Sequence, residues 1–208
     1  MDTCLNIRGV QHAQVYTAHG KQARTRLGRL WSNLKARSRP AFWIKNPTYA
    51  GCSVGFTDFQ AFAMWAVQQY GYDLRDGDGR WYELDKDLLR PGNKVYSPEL
   101  CLFVPKRINN LFIDSGAIRG EYPTGVSLCK GRDKYQASCQ DQTGRFSGYI
   151  GKFNTPEEAH IAYLARKLDI VEYIYYREAD VIPHEKLRAA LLRHINELIE
   201  KVPSTWGV

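Results

Sequence analysis

Two aspartates and a later asparagine are the residues of this chain that are best suited to chemistry. Asp85 and Asp87 stand in Leu-Asp-Lys-Asp, and Asn109 closes an apolar stretch further on. If this run is a strand, two-residue alternation places both carboxylates on one side and Lys86 on the other. Carboxylate and amide oxygens are hard ligands that suit a divalent cation. The pattern predicts a cation site made by Asp85 and Asn109.

The elements that must position these groups lie between residues 81 and 111, in WYELDKDLLRPGNKVYSPELCLFVPKRINNL. The letters RPGN and SPE mark two chain reversals, since proline fixes φ and glycine permits unusual backbone angles. Cys101 to Val104 predict a short buried strand. Pro105 suits the first turn of a helix, where a missing N–H costs nothing. We expect that helix to carry Asn109 back towards Asp85.

The motif LDKD followed by YSPELCLFVPKRINN resembles the ββα-metal motif of HNH endonucleases, in particular the phage and intron-homing branch. The resemblance implies that Asp85 and Asn109 bind one Mg²⁺ or Mn²⁺ ion. Lys86 stands where this family usually has its general-base histidine, and Leu100 where it has a loop-bracing asparagine. The upstream basic segment, KNPTYAGC and a Phe/Trp-rich segment extend the resemblance over residues 23–113, as an HNH-like domain.

Lysine is a poor general base at neutral pH, because with an ordinary pKa of about 10.4 only about four in ten thousand are deprotonated at pH 7. We therefore expect Lys86 to hold a phosphate. The nucleophile would then come from Asp87 or from a water activated by the metal. The three candidate catalytic residues are Asp85, Lys86 and Asp87. The alternative is that the module keeps its shape and has lost the reaction.

A basic segment precedes the motif. Residues 1–22 predict a mobile N-terminal arm, and the segment from 21 to 39 predicts one amphipathic helix, since Leu27, Leu30, Trp31 and Leu34 recur at helical spacing. A solvated helix face is one explanation for its charges, and contact with DNA phosphates is the one we favour. The basic residues are Lys21, Arg24, Arg26, Arg29, Lys35, Arg37 and Arg39.

After residue 111 the pattern changes to three short alternating segments, which predict an antiparallel meander. Thr155, Pro156 and Glu158 then specify a helix start, with a cap, a first-turn proline and a capping-box glutamate. The letters GVSLCKGRDKYQASC and YIGKFNTPEEAHIAY resemble the ethylene-response-factor (Apetala-type) DNA-binding domain, over residues 119–168. The resemblance implies a sheet that contacts DNA. With the helix before it, the candidate contacts are Lys106, Arg107, Lys130, Arg132, Lys134, Gln136, Arg145 and Lys152.

The tail, residues 169–208, contains a second helical stripe made by Leu187, Leu191, Ile195 and Leu198. Such a stripe predicts a helix that packs within the chain or mediates self-association. The histidines at 160, 184 and 194 are not spaced as a metal site. We expect them to be structural or solvent-exposed.

Composition limits the functional classes. The chain has 208 residues and a formal charge of +7, which argues for a polyanionic partner. Its five cysteines lack Cys-x-x-Cys spacing, so neither a zinc site nor a disulfide framework is expected. The chain shows neither an export signal nor an apolar run long enough for a membrane. We expect a cytoplasmic protein, in a host bacterium if the origin is a phage.

The sequence thus predicts an α+β protein with an HNH-like module, a small sheet with a helix, and a helical tail. The leading hypothesis is binding of double-stranded DNA with metal-dependent cutting or nicking. The second is a catalytically silent DNA-binding regulator or host-takeover factor derived from such a nuclease. The third is an inhibitor that binds an acidic host protein through the basic surface.

Overall fold

The protein is a mixed α+β chain with two compact units, Met1–Asn109 (unit 1) and Asn110–Val208 (unit 2). In this computed structural model the structure describes residues 12–18, 21–112, 121–131, 133–140, 144–178 and 184–204. The boundary differs from the predicted one at residue 113, and the tail after residue 168 belongs to unit 2. No helix in these ranges is long and apolar enough to cross a bilayer.

Unit 1 begins with a β-hairpin, which the sequence did not predict. Strands β1 (Val15–Ala18) and β2 (Lys21–Arg24) pair antiparallel, and helix α1 (Arg26–Arg37) follows. The prediction of one helix from 21 to 39 was therefore wrong at its start. Thr25 ends the strand and caps the helix, because its hydroxyl accepts from the Gly28 N–H at 3.0 Å.

Of the predicted arm, residues 1–11 and 19–20 lie outside the described residues, and residues 12–14 are fixed to unit 1. The His12 N–H donates to Gln60 Oε1 at 2.8 Å, and Gln60 Nε2 donates to the His12 carbonyl at 3.0 Å. The Gln14 carbonyl accepts from the Thr25 N–H at 3.0 Å. It also lies where a side chain on Gly28 would be, 2.0 Å from an ideal Cβ. Only glycine lets the chain pass this close to α1.

Helix α2 (Pro40–Trp43) and a 3-10 turn (Pro47–Tyr49) lead to strand β3 (Ser53–Val54) and helix α3 (Phe59–Ala66). Strands β4 (Glu83–Asp85), β5 (Val95–Tyr96) and β6 (Leu102–Val104) precede helix α4 (Lys106–Phe112). β4 pairs antiparallel with β6, and β3 pairs parallel with β5. The predicted strand, turn, strand, helix order between residues 81 and 111 is confirmed.

Aromatic side chains form the core of unit 1. Phe62 is fully buried and contacts Trp31 and Phe56, with ring centroids 5.6 and 5.2 Å apart. Trp65 and Phe103 stack at 6.1 Å and join α3 to β6. Rings that cross between elements in this way bury large apolar areas. The aromatic residues of α3 therefore serve the core of unit 1.

Unit 2 contains the predicted meander. Strands β7 (Val126–Leu128), β8 (Tyr135–Ser138) and β9 (Tyr149–Phe153) form one antiparallel sheet. Helix α5 (Pro156–Arg177) begins with the predicted capping box, since Thr155 Oγ1 accepts from the Glu158 N–H and Glu158 Oε2 from the Thr155 N–H. The buried Ala137, Ala159 and Ala162 let helix and sheet approach closely.

Helix α6 (Glu185–Ile199) packs against α5. Its predicted stripe, Leu187, Leu191, Ile195 and Leu198, is buried within the unit, with exposures of 3% or less. The stripe is therefore used inside the chain and is not a free surface for self-association. In the described part of the chain, Cys52, Cys101, Cys129 and Cys139 are all free thiols.

Candidate metal centre and nucleic-acid interface

Strand β4 presents two carboxylates on one face. Leu84 is buried and pairs with Phe103 of β6. Two-residue alternation therefore directs the side chains of Glu83 and Asp85 away from Leu84, to the opposite face of the strand. The sequence predicted that Asp85 shares this face with Asp87, which follows it. In the structure Asp85 shares the face with Glu83, which precedes it.

Asp85 ends the strand by turning the chain. Its Oδ1 accepts from the Asp87 N–H at 2.9 Å and from the Leu88 N–H at 2.7 Å. An aspartate that bonds to the backbone two and three residues on replaces a strand ladder with a turn. The prediction that Asp85 and Asp87 alternate along one strand was therefore wrong. The turn nevertheless keeps the two carboxylates close enough for the charge of Asp87 to raise the pKa of Asp85.

The carboxyl group of Asp85 is strongly perturbed. Burial is the largest cause and the charge of Asp87 is the second, and together they raise the pKa of Asp85 to about 6. The backbone N–H groups of Leu88 and Asp87 lower it in part. A partly buried carboxylate beside a second one is a costly arrangement, and a nearby cation lowers that cost. A divalent cation at Asp85 would therefore stabilise this part of unit 1.

Lys86 is buried. The exposed fraction of its side chain is 8%, its Nζ lies 3.0 Å from Asp87 Oδ2, and it stands 5.9 Å from the centre of the Tyr96 ring. A phosphate clamp needs an accessible ammonium group. The structure instead gives Lys86 the role of an internal counter-ion to Asp87, which differs from the expectation that it holds a phosphate.

Asn93 braces the loop between β4 and β5. Its Nδ2 donates to the carbonyl of Lys86 at 2.6 Å and to that of Val95 at 2.7 Å, and its Oδ1 accepts from the Val95 N–H at 3.1 Å. Leu100 stands where HNH enzymes have their bracing asparagine, and its side chain has no polar group that could form such hydrogen bonds. Asn93 holds the loop from another position.

Asn109 returns to β4 as predicted, but its partner is Glu83. Its Nδ2 donates to Glu83 Oε2 at 3.0 Å. This leaves the amide oxygen, the Glu83 carboxylate and the Asp85 carboxylate as oxygen donors contributed by one strand and one helix. Such a donor set suits Mg²⁺ or Mn²⁺ better than zinc. Sequence reasoning missed Glu83, although its spacing of two from Asp85 was a usable signal.

Acidic and thiol ligands alone do not form a metal cluster here. Within the described ranges, no group of three or more His, Cys, Asp or Glu side chains is arranged to hold an ion. A site at β4 therefore depends on the amide of Asn109 and on water as well as on carboxylates. Mg²⁺ commonly keeps several waters and takes only one or two protein carboxylates.

The basic residues near α1 divide into two groups. Arg26 donates to the Tyr82 carbonyl at 3.0 Å and lies 4.2 Å from the Trp81 ring centre, and burial lowers its pKa. Arg37 donates to the Tyr96 hydroxyl at 3.2 Å and lies 5.0 Å from the Tyr49 ring centre. Both serve the core of unit 1. Lys21 lies on β2, and Arg24, Arg29, Lys35 and Arg39 are exposed.

The sheet of unit 2 has one free face, which is polar. Tyr135 and Ala137 of β8 point to α5, so Gln136 points to the other side. Gln136 pairs with Ser127 on β7 and with Lys152 on β9, which forms a polar row across the sheet. Lys134 stands two residues before Gln136 and donates to Asn154. This surface, Ser127, Lys134, Gln136, Lys152 and Asn154, is called the open sheet face below.

The remaining candidates lie at several places. Lys106 is exposed and Arg107 half-buried at the start of α4, and Lys130 is exposed in the turn after β7. Arg145 lies 4.8 Å from the Tyr173 ring centre, beside α5. Arg132 falls outside the described residues. Of the candidates in unit 2, Lys134 and Lys152 lie on the open sheet face, and Lys130 lies in the turn between β7 and β8.

Comparison of the chain with protein-family models, with curated proteins and with solved structures found no match.

Proposed function

We propose that this protein binds double-stranded DNA and hydrolyses its phosphodiester bonds with one divalent cation. The observation that carries the proposal is the partly buried Asp85 carboxyl, whose pKa is raised to about 6, on the strand to which α4 returns Asn109. Burial of an acid beside another acid costs stability. A divalent cation held by β4 and α4 would offset this cost, which supports the proposal.

Asp85, Glu83 and Asn109 are the residues that would hold the cation. When bound, the ion would stabilise the charge that develops on the phosphate and lower the pKa of water. Asp87 is about half exposed and lies next to Asp85, so it is the carboxylate placed to take a proton from water. Lys86 fixes Asp87 through their 3.0 Å ion pair, and Asn93 fixes the loop that carries both.

The open sheet face supports DNA binding independently of the cation. Lys134 and Lys152 add positive charge to a row of neutral donors and acceptors, and exposed Lys130 lies at one end. Side chains of these types make most protein contacts to phosphate and sugar. None of the five side chains that define this face is a carboxylate.

A supercoiled plasmid assay with Mg²⁺ or Mn²⁺ tests the activity. Wild-type protein is expected to nick or linearise the plasmid, and Asp85→Ala is expected to abolish cutting while it retains DNA binding. Asp78→Ala is the matched control, since Asp78 is an acid in an exposed turn of the same unit. Cutting by Asp85→Ala at the wild-type rate would remove the proposed centre.

A second candidate is a DNA-binding protein without catalysis. Buried Lys86 favours it, because the ammonium group already neutralises Asp87 and occupies the family's general-base position. This candidate predicts full DNA affinity in the presence of a chelator and no cutting with any divalent metal. Both candidates require a complex that weakens steeply as salt rises.

A further inference from the structure

Ile44 is the most exposed of the large hydrophobic side chains in the described part of the chain, with 84% of its surface accessible. It follows α2 directly. Single exposed hydrophobic residues are common and need no explanation by themselves. Ile44 differs because of how firmly its backbone is held and because of the charges beside it.

The residues around Ile44 anchor it to α1. Trp43 Nε1 donates to the Arg37 carbonyl at 2.7 Å, and Phe42 contacts Tyr49 edge to face at 5.6 Å. The backbone N–H of Asn46 and its side-chain Nδ2 both donate to the Phe42 carbonyl at 3.1 Å. Trp43 and Asn46, which enclose the pair Ile44 and Lys45, are therefore held by hydrogen bonds, and Ile44 projects from a well-anchored turn.

The sequence on both sides of Ile44 carries charge of one sign. Between Lys21 and Thr57 the sequence contains eight Lys and Arg residues and no Asp or Glu. Arg39 precedes α2 and Lys45 follows Ile44, and both are exposed. The core of a protein interface is depleted in lysine and charge. An exposed apolar tip flanked by cations suits a polyanion with an apolar interior better than it suits another protein.

We infer that Ile44 is an apolar wedge that enters between adjacent base pairs of duplex DNA from the minor groove, while Arg39 and Lys45 contact the flanking phosphates. The inference rests on the proposed DNA binding and adds a contact surface on unit 1 and a deformation of the DNA. Proteins that insert an aliphatic side chain partly unstack a base step and kink the duplex. A wedge must be rigid, and the anchors of Trp43 and Phe42 supply that rigidity.

A short duplex labelled at both ends tests the wedge by fluorescence anisotropy and by energy transfer between the labels. Wild-type protein is expected to bind the duplex and to bring its ends closer together. Ile44→Ser is expected to weaken binding about tenfold, since it removes one buried aliphatic group from the complex. It is also expected to abolish the change in energy transfer. Because Ile44 is exposed in the free protein, the variant folds normally.

Two further variants separate the wedge from the charges. Met64→Ser removes an apolar side chain of α3 that is 49% exposed, and it is expected to bind and bend DNA as the wild type does. Lys45→Gln is expected to lower the salt dependence of binding by about one phosphate contact. Ile44→Ser should leave that salt dependence unchanged.

The outcomes distinguish this inference from the proposed function. Absence of any wild-type complex overturns both. A complex that Ile44→Ser binds and bends like wild type overturns the wedge alone, and weaker binding with unchanged bending shows a groove contact and also overturns it. Sedimentation without DNA is the last check, because a change in oligomeric state on Ile44→Ser would assign the tip to a second copy of the chain.

Discussion

Each unit contains a partly buried ionisable side chain whose pKa is shifted, an acid in unit 1 and a base in unit 2. In unit 1, burial and then the neighbouring charge of Asp87 raise the pKa of Asp85 to about 6. In unit 2, burial and then the charge of Lys167 lower the pKa of His194 to about 4. His194 lies 4.8 Å from the Phe112 ring centre, and its Nδ1 is 3.5 Å from Glu197 Oε2.

The difference shows how a buried ionisable group can indicate function or structure. His194 avoids the cost of a buried charge because it is neutral at pH 7, and the neutral ring packs as an aromatic side chain. Asp85 is mostly ionised at pH 7, and two backbone N–H groups offset part of the cost of that charge. The shifted pKa in unit 2 therefore needs no ligand, whereas the shifted pKa in unit 1 is compatible with the proposed cation.

The largest expected effect comes from removing the counter-ion of Lys86. Asp87→Ala leaves a buried ammonium group without its partner, and should destabilise unit 1 by about 3 kcal/mol at pH 7. Chemical denaturation followed by tryptophan fluorescence measures this, since Trp31, Trp43, Trp65 and Trp81 all lie in unit 1. Asp78→Ala breaks an exposed ion pair of 3.2 Å with Arg80 and should change almost nothing. Equal effects of the two variants would contradict the internal role of Lys86.

Asp85→Asn is expected to stabilise unit 1. The pKa of Asp85 in the folded protein lies above its ordinary value of 3.8. The contribution of Asp85 to the free energy of unfolding is therefore fully present below about pH 4 and is lost as the pH rises through 6. The amide keeps an oxygen acceptor for the two N–H groups without the charge. The gain should be about 2 kcal/mol at pH 8 and near zero at pH 4. A gain of the same size at both pH values would show that charge is not its cause.

The pH dependence of unit 2 should have the opposite sign. Because the folded pKa of His194 lies below the ordinary 6.5, its contribution to stability is present above pH 6.5 and is lost as pH falls towards 4. Changing the pH from 8 to 5 should cost wild type about 1 kcal/mol more than it costs His194→Gln. Amide exchange of α6 residues reports on unit 2 specifically. Parallel pH profiles for the two proteins would refute this linkage.

A divalent cation should produce the smallest shift, confined to unit 1. At a concentration near its dissociation constant, Mg²⁺ is expected to stabilise the unit by about 0.4 kcal/mol, and more as its concentration rises. Tryptophan fluorescence in denaturant, with and without chelator, measures the effect. Asp85→Asn should lose it. Stabilisation of unit 2 by the same ion would indicate general screening rather than a site.

Local patterns predicted much of the fold. The Thr155 capping box, the meander, the α6 stripe and the helix after Pro105 each depend on residues close in sequence, and all are confirmed. The β1–β2 hairpin was missed because the segment that leads into it is held by a distant residue, Gln60, which bonds the backbone of His12. The basic run from 21 to 39 also continues across the boundary between strand and helix, so charge gave no sign of the change.

The candidate site was predicted less completely than its elements. The return of Asn109 to β4 followed from the order of strands and helix. Its partner Glu83 and the burial of Lys86 did not, because Asp85 accepts from the Asp87 N–H and ends the strand two residues before the predicted Asp87. Side-chain bonds to the local backbone compete with strand geometry in a way that residue type alone does not reveal.

The close approach at Gly28 has a consequence for sequence divergence. The group pressed against it is the main-chain oxygen of Gln14, which every amino acid possesses. Substitutions at position 14 are therefore constrained only by backbone geometry, while position 28 should accept glycine alone. In an alignment of related sequences, position 28 would be invariant and position 14 variable. Their contact would therefore not be detectable as correlated substitutions.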